Sequence, residues 1–168
     1  SGNCNATEDS MDYQGKQTCA ASKMFYNGKG SCQFGCLGFG DCMNVCQYGA
    51  IAIVNGIAVV DKSVCVGCGM CSKVCPNHLI SVIPATNTIY VGCSSKDKGA
   101  VTRKVCKNGC IGCKKCEKAC EQGAITVTDN VASIDPEKCI NCGKCVTGCP
   151  TGAIVTCESR CESIPVSA

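Results

Sequence analysis

The chain has 168 residues, of which 22 are cysteine and none is tryptophan. Its four tyrosines and three phenylalanines exclude a core built on large rings, so apolar burial depends on short Val, Ile and Ala runs. The formal net charge of +3 counts every thiol as neutral and does not by itself define a partner. Apolar runs such as residues 50–60 are far shorter than the roughly 20 residues that span a bilayer, and no segment resembles a signal peptide.

The first predicted elements follow an N-terminal segment, residues 1–31, and a cysteine-rich loop. The run GAIAIV-NG-IAVVD predicts a β-hairpin, because Asn55-Gly56 tolerate positive φ at its turn. A second cysteine loop follows at 65–76, and its SKVC segment predicts a short helical turn. The run ISVIP-ATN-TIYVG at 80–92 predicts another hairpin.

The second half of the chain has the same order of features. Residues 93–105 form a polar, glycine-containing and basic connector. After it, GAITVT-DN-VASID predicts a hairpin with Asp129-Asn130 at its turn. The segments EKAC and VTGC predict further short helical turns, and residues 157–168 form a C-terminal tail.

The cysteines repeat with an offset of 74 residues. Adding 74 takes Cys19 to Cys93, Cys75 to Cys149, and seven cysteines between Cys19 and Cys75 onto seven others. A repeat of this kind indicates a tandem duplication. It divides the chain into two like modules, residues 32–92 and 106–156.

Each module contains one loop whose cysteines are spaced x2, x2 and x3 and are followed by proline, at 65–76 and 139–150. This is the bacterial ferredoxin pattern, in which three cysteines hold one [4Fe-4S] cubane and the fourth holds the neighbouring one. Thiolates are the soft ligands that iron–sulfur chemistry uses. The predicted fold is therefore α+β, with two tandem bacterial-type 2[4Fe-4S] ferredoxin-like modules and four [4Fe-4S] clusters.

Two other uses of these cysteines fit less well. Zinc sites usually take two cysteines from one knuckle and two from a distant one, rather than three within seven residues. A zinc-stabilised interaction module is thus a remote alternative. A disulfide scaffold conflicts with the awkward pairing of adjacent thiols and with the lack of a secretory segment.

Cross-ligation between the halves of each module assigns two regular clusters. In the first module the ligands are Cys46, Cys65, Cys68 and Cys71. In the second module they are Cys120, Cys139, Cys142 and Cys145.

The partner cluster of the first module lacks a regular ligand, because Phe39 stands where the loop would have its second cysteine. Cys32, four residues before Cys36, is the nearest substitute. The predicted set is Cys32, Cys36, Cys42 and Cys75.

The partner cluster of the second module has one cysteine more than it needs. A regular set is Cys110, Cys113, Cys116 and Cys149. Cys106 lies at the place that matches Cys32 and is an alternative to Cys113. We favour Cys113, because the regular loop requires no special backbone path.

Besides the alternative ligand Cys106, five cysteines are left without a cluster. Cys19 and Cys93 occupy matching places, which favours a shared structural role such as buried packing. The sequence assigns no role to Cys4, Cys157 or Cys161.

The motifs GCLGFGDC, CSSKDKGA and RKVC occur together with the ferredoxin loops. In this combination the chain, over about residues 4–156, resembles the C-terminal polyferredoxin region of RnfB, the B subunit of the Rnf ion-translocating oxidoreductase complex. The cysteine loops are shared with many ferredoxins, whereas the three accompanying motifs are more specific.

The resemblance implies an electron-transfer subunit that relays low-potential electrons through four [4Fe-4S] clusters, between soluble ferredoxin or flavodoxin and other Rnf subunits. It implies a place at the cytoplasmic face of the bacterial inner membrane. Membrane attachment would come from an N-terminal helix that we expect to lie outside this chain, as would a separate Fe–S domain. The alternative is an independent polyferredoxin, or a ferredoxin-like subunit of another oxidoreductase.

No catalytic residue is predicted, because electron transfer needs no acid, base or nucleophile and no flavin or nucleotide motif is present. His78 stands where the other three cluster motifs have glycine, which predicts an exposed loop residue. A basic group in the second module could raise a cluster potential, attract an acidic ferredoxin or be a solvated face. It comprises Arg103, Lys104, Lys107, Lys114, Lys115 and Lys118. Nucleic acid is not expected, because these lysines alternate with cluster ligands and lack interleaved aromatics.

Overall fold

The computed structural model describes residues 6–157. They form two compact units: an N-terminal unit, residues 8–82, and a C-terminal unit, residues 83–157 with Ala6 and Thr7. The N-terminal unit contains α1 (Cys19–Tyr26), α2 (Asp41–Asn44), β1 (Ile51–Val54), β2 (Ile57–Val60) and α3 (Met70–Val74). The C-terminal unit contains β3 (Ile89–Val91), α4 (Gly99–Val105), α5 (Lys115–Ala119), β4 (Ile125–Thr128), β5 (Val131–Ile134), α6 (Lys144–Thr147) and β6 (Ile154–Thr156).

The two hairpins predicted from the NG and DN turns are confirmed. Strands β1 and β2 pair antiparallel, with Ile51 opposite Val60. Strands β4 and β5 pair in the same register, with Ile125 opposite Ile134. All four turn residues have positive φ: Asn55, Gly56, Asp129 and Asn130. The 74-residue offset therefore carries one hairpin onto the other, residue by residue.

The short helical turns are also confirmed. Helix α3 contains the SKV of SKVC, α5 contains the EKA of EKAC, and α6 covers the first two residues of VTGC. Each helix has only four or five residues, so tertiary contacts rather than helix propensity must stabilise it.

The hairpin predicted for residues 80–92 is wrong. Strand β3 pairs antiparallel with β6 at the other end of the C-terminal unit, with Val91 opposite Ile154. This pairing leaves Ile89 only 4% exposed and Ile154 only 2% exposed, whereas Val82 stays 59% exposed. Burial of two large aliphatic side chains is worth a few kcal/mol and explains why β3 takes the distant partner.

Two asparagines fix the path of the chain into β3. The buried Asn87 side chain donates to the Pro136 carbonyl at 3.0 Å. The Asn141 side chain accepts from the Thr88 N–H at 3.1 Å and donates to the Thr86 carbonyl at 3.0 Å. These bonds join residues 86–88 to the loop before α6.

The segment predicted as a connector, residues 93–105, contains the helix α4 and two buried hydroxyl residues. Ser95 and Thr102 are 2% and 1% exposed, and their hydroxyl oxygens lie 3.4 Å apart. Thr102 also donates to the Asp97 carbonyl at 3.3 Å. The segment is thus packed into the C-terminal unit, and the change from one unit to the other falls near residue 83.

The core of the C-terminal unit mixes aliphatic side chains with cysteines. Ile89, Ile125, Ala132 and Ile154 pack around Cys116 and Cys145. In the N-terminal unit the buried residues include Leu37, Cys42 and Ile51. The cysteines are therefore part of the interior that they would share with a cofactor. Across residues 6–157, no helix has the length and apolar character needed to cross a membrane.

One glycine in each unit allows the cysteine loop to approach the hairpin turn. Gly38 has φ +77°, and a Cβ there would lie 2.7 Å from the Gly56 carbonyl oxygen. At the matching position, Gly112 has φ +64°, and its Cβ would lie 3.1 Å from the Asn130 backbone. A side chain at either place would push the cysteine loop away from the hairpin.

We expect Gly38→Ala to destabilise the protein more than Gly49→Ala. Both positions have positive φ, which costs a non-glycine residue about 1 kcal/mol, but a Cβ at Gly49 meets no described atom within 4 Å. Gly49→Ala should lower the melting temperature by about 4–8 °C, and Gly38→Ala by more. Thermal melting of anaerobic protein measures both, and equal shifts would contradict the close approach.

Candidate iron–sulfur centres

The four cysteine loops share one local structure. In each, the third cysteine is the second residue of a short helix. The residue before each helix has positive φ, and these four residues are Gly40, Gly69, Lys114 and Gly143. The left-handed residue turns the chain sharply, so that one loop can present three sulfurs to one place.

Burial dominates the electrostatics of these third cysteines. Burial, with a smaller contribution from the nearby Cys36 and Cys19 sulfurs, raises the pKa of the Cys42 thiol to about 11. Burial likewise raises the pKa of Cys71, Cys116 and Cys145. Backbone N–H groups at the start of each helix oppose the rise by hydrogen bonding to the sulfur. Metal binding at these sites therefore requires the release of a proton from each thiol.

The regular set of the C-terminal unit is brought together. A cavity of about 90 Å³ is lined by Cys120, Cys139, Cys142 and Cys145 together with Ile89 and Ile125. Besides burial, the sulfurs of Cys139, Cys142 and Cys120 raise the pKa of Cys145, so the four groups are electrostatic neighbours. All four predicted ligands thus line one cavity.

The second set of the C-terminal unit surrounds a smaller cavity. Its lining includes Cys110, Cys113, Cys116 and Cys149 with Val127 and Ile154. Burial is the largest cause of the raised pKa of Cys116, and the sulfurs of Cys110 and Cys113 raise it further. Cys106, also in the described part of the chain, is not in this lining. The arrangement supports Cys113 as the ligand, and the choice between the two stays a prediction.

Cys149 differs from Cys116 of the same set, because polar groups outweigh burial at its sulfur. Burial alone would raise the pKa of its thiol, but the N–H groups of Thr151, Ile154 and Ala153 and the Thr151 hydroxyl outweigh burial and lower it. The Thr151 hydroxyl oxygen lies 3.8 Å from the sulfur. This environment favours a thiolate ready to bind iron.

In the N-terminal unit the regular set follows the same arrangement. Burial raises the pKa of Cys71, and backbone N–H groups oppose the rise. The sulfurs of Cys65 and Cys68 raise it further. Cys46 matches Cys120 in the repeat, and α2 contacts α3 as α5 contacts α6. Cys65 and Cys68 are exposed, so this set lies at the surface of its unit.

At the irregular set, Phe39 belongs to an aromatic group. Its ring lies 5.3 Å from that of Tyr13, which in turn contacts Tyr26 at 5.6 Å. The Lys29 ammonium lies 5.9 Å from the Phe39 ring centre. Position 39 therefore contributes packing where the matching Cys113 contributes a sulfur.

The remaining members of the irregular set lie near one another in the loop structure. Asn77, two residues after Cys75, donates to the carbonyl of Gly35 at 2.7 Å. This bond holds the end of one cysteine loop against the residue before Cys36. Cys32 is half-buried, and its carbonyl accepts the Gly35 N–H at 3.1 Å. Its ligation remains a prediction.

The cysteines without a predicted cluster have different environments. Cys19 is buried, whereas Cys93 is half-buried and its sulfur accepts the Ser95 N–H at 3.5 Å. Cys157 is buried at the end of β6, where its N–H donates to the Thr88 carbonyl at 2.7 Å. Cys19 and Cys93 thus do not share a buried role. Cys4 and Cys161 lie outside the described residues.

The donor sets fit the group that the spacing predicts. Each cavity of the C-terminal unit is lined by four cysteine sulfurs, which is the ligand set of a [4Fe-4S] cluster. Within residues 6–157, no three His, Cys, Asp or Glu side chains converge closely enough to hold a single metal ion.

Known domain families match both halves of the chain. A 4Fe-4S dicluster domain matches residues 109–153, and 4Fe-4S binding domains match residues 58–81 and 36–50. The predicted α+β fold of tandem ferredoxin domains is confirmed, and the cofactors are [4Fe-4S] clusters. The chain is thus a polyferredoxin, an iron–sulfur protein with several 4Fe-4S domains.

Curated relatives identify the family more closely. The B subunit of the Na⁺-translocating ferredoxin:NAD⁺ oxidoreductase complex of Acetobacterium woodii is 39% identical over 138 residues, which are 82% of this chain and 41% of that protein. The B subunit of the proton-translocating complex of Clostridium ljungdahlii is 39% identical over 80% of this chain and 48% of its own length. The B subunit of an ion-translocating oxidoreductase complex of Methanosarcina acetivorans is 45% identical over 76% of this chain and 48% of that protein.

These matches confirm the resemblance drawn from the motifs. The chain is an RnfB-like subunit, homologous to the B subunits of ion-translocating oxidoreductase complexes. It spans less than half the length of the relatives that it matches.

His78 is exposed, as the sequence predicts, and takes the backbone conformation of a glycine. Its φ is +50°, and the matching Gly49, Gly123 and Gly152 have φ of +63°, +59° and +63°. In all four loops the N–H of this residue donates to the carbonyl of the cysteine three positions earlier. The position is thus a turn with a strict backbone requirement.

We expect His78→Gly to leave the iron content unchanged and to raise the melting temperature by a few degrees, because a non-glycine residue with positive φ costs about 1 kcal/mol. The matched control, Gly152→Ala, should lower the melting temperature for the same reason. Iron analysis and thermal melting test both variants. Loss of about four irons in His78→Gly would make His78 a ligand.

Proposed function

We propose that this chain is an electron-transfer subunit that relays low-potential electrons through four [4Fe-4S] clusters. It would do so between soluble ferredoxin, or flavodoxin, and other subunits of an Rnf-type membrane complex. The observation that carries the proposal is the pair of cavities in the C-terminal unit, each lined by four predicted cysteine ligands. The 74-residue repeat extends the same plan to the N-terminal unit. Two of the relatives belong to ferredoxin:NAD⁺ oxidoreductase complexes, which supplies the context.

For the three regular sets, the ligands that we propose are those of the sequence pattern, with Cys113 preferred to its alternative Cys106. For the irregular set we propose Cys36, Cys42 and Cys75 together with one further cysteine. A [4Fe-4S] cluster supplies reversible one-electron transfer. The chain's contribution is to hold the sulfurs, to limit solvent, and to aim N–H groups at them. Hydrogen bonds to sulfur and burial act on the potential in opposite directions, and Cys149 is subject to both.

Each proposed cluster of the C-terminal unit would have one exposed cysteine. Cys113 and Cys142 are exposed, whereas Cys116 and Cys145 are buried. An exposed ligand brings a cluster edge close to the surface, where an electron can pass to or from a partner protein. The buried ligands on the other side keep the rest of the cluster dry.

The surface beside Cys113 is basic. Lys114, Lys115 and Lys118 are exposed, and Lys114 is paired with Glu117 at 3.9 Å. Positive charge beside a cluster edge would attract an acidic redox partner and speed its approach. We therefore propose this basic surface as the docking site for soluble ferredoxin, with Lys115 and Lys118 as its main charges.

The proposed location is the cytoplasmic face of the cell membrane, where the chain would attach as part of the complex. Ion movement and NAD reduction would belong to other subunits, since electron transfer is the chemistry that the cysteine sets support. An independent polyferredoxin with the same clusters is the alternative. NAD reduction from reduced ferredoxin by Rnf subunits with and without this chain separates the two roles, because an independent polyferredoxin would not restore the reaction.

We expect anaerobically prepared protein to contain about sixteen irons and sixteen sulfides per chain, four of each per cluster. Cys113→Ala should lose about four of each, whereas the matched Cys106→Ala should lose none. Iron and sulfide analysis, with the electron paramagnetic resonance spectrum of the reduced protein, measures both. The reverse result would assign Cys106 as the ligand, and iron-free protein that is still folded would overturn the proposal.

We expect a Lys115→Glu/Lys118→Glu variant to accept electrons from reduced ferredoxin at least about tenfold more slowly at low salt, because charge reversal repels an acidic partner. The difference should shrink as salt increases, since screening weakens steering. A Lys16→Glu/Lys62→Glu variant carries the same charge change on exposed residues of the N-terminal unit and should be nearly normal. Stopped-flow absorbance measures the rates. Equal slowing of both variants would refute this docking site.

A further inference from the structure

We infer that Cys19, rather than Cys32, supplies the fourth sulfur of the irregular cluster, completing a set with Cys36, Cys42 and Cys75. The inference rests on the proposed function, because it assigns a ligand of one of the four proposed clusters. It concerns a cysteine that the ferredoxin loop pattern leaves unassigned.

The first observation is where the Cys19 sulfur lies. Burial raises the pKa of the Cys19 thiol, and hydrogen bonds to its sulfur from the N–H groups of Asp41 and Phe39 oppose the rise. The Asp41 carboxylate and the Cys36 sulfur are also near enough to raise this pKa, and the pKa of Cys42 is in turn raised by both Cys36 and Cys19. The Cys19 sulfur therefore lies within electrostatic range of Cys36, Cys42 and the backbone of Phe39, the residue at the place of the missing regular ligand.

The second observation is a carboxylate that fixes Cys19 in this place. Asp41, the residue before Cys42, accepts the Cys19 N–H at 2.9 Å and the Ala20 N–H at 3.0 Å. Cys19 and Ala20 are the first residues of α1, and Thr18 caps this helix by accepting the Ala21 N–H at 3.2 Å. An acidic group at a helix N-terminus stabilises the helix. Here it also joins the first turn of α1 to the start of α2, which carries Cys42.

The C-terminal unit provides an internal comparison. It has the regular ligand Cys113, and the position matching Asp41 is Lys115. A lysine cannot accept the two N–H groups that Asp41 accepts. Cys93, which matches Cys19, lies before the start of α4 at Gly99 and bonds locally to Ser95. Only the repeat that lacks the loop cysteine has the aspartate that holds the distant one.

The third observation is an orphaned hydroxyl on the same helix face. Ser22 follows Cys19 by three residues, and these two are the buried residues of α1. The Ser22 hydroxyl is fully buried and finds no hydrogen-bond partner among the described residues. A buried polar group of this kind requires a partner, and residues 6–157 do not provide one. A cluster bound beside Cys19 would offer sulfide acceptors on that face.

Iron and sulfide analysis of alanine variants tests the inference, with visible absorbance and the electron paramagnetic resonance spectrum of the reduced protein. The iron content of the Cys19→Ala variant should fall from about sixteen atoms per chain to about twelve. Cys32→Ala should keep about sixteen. The matched control Cys93→Ala should also keep about sixteen, because Cys113 completes the corresponding set.

A second variant separates ligation from packing. Adding Phe39→Cys to Cys19→Ala restores the regular loop spacing and should return the iron content to about sixteen. Loss of iron in Cys19→Ala that Phe39→Cys does not restore would make Cys19 a packing residue and overturn the inference. Loss of four irons in Cys32→Ala with none in Cys19→Ala would assign Cys32 instead.

The outcomes also distinguish this inference from the proposed function. Wild-type protein with about sixteen irons and an unchanged Cys19→Ala variant would overturn the ligand assignment alone. Wild-type protein without iron would overturn the proposed function, and with it the assignment.

Discussion

Both units place backbone N–H groups close enough to cysteine sulfurs to stabilise the thiolate form. Each third cysteine is the second residue of a helix of four or five residues, whose first N–H groups lower its pKa against the effect of burial. The N–H groups of Thr151, Ala153 and Ile154 do the same at Cys149. These helices are too short to be stable by themselves. The loops therefore depend on what the sulfurs bind, and a cluster would act as the interior that a chain with few aromatic side chains does not otherwise have.

The duplicated plan is kept where backbone geometry requires it and changed where side chains can vary. Hairpins, short helices and positive-φ positions repeat at the 74-residue offset. Lys114 and His78 have positive φ, and the residues that match them in the repeat, Gly40 and Gly152, are glycines with positive φ. The pairing of β3 with β6 belongs to the C-terminal unit. In the N-terminal unit the residues matching β3 are Gly15-Lys16-Gln17, which carry no branched apolar side chains to form such a strand.

The distribution of burial is the one that electron transfer requires. In each set of the C-terminal unit, one cysteine is exposed and another is buried among aliphatic side chains. Exposure shortens the path to a partner, and burial limits contact between solvent and the redox group. The basic residues beside Cys113 carry a charge that would favour an acidic partner, which is the basis of the docking site proposed there.

The sequence alone determined the duplication, the two hairpins and the short helical turns, because these depend on local spacing and on residues that tolerate positive φ. It also indicated the class of cofactor, since three thiolates within seven residues suit a cubane. Only the tertiary structure decided the pairing of β3 with β6, because burial of Ile89 and Ile154 stabilises this pairing more than a hairpin with residues 80–84 would be stabilised. It also placed Cys19 beside the start of α2, where its N–H donates to the Asp41 carboxylate 22 residues away along the chain. Such contacts follow from packing between distant segments, and no local pattern encodes them.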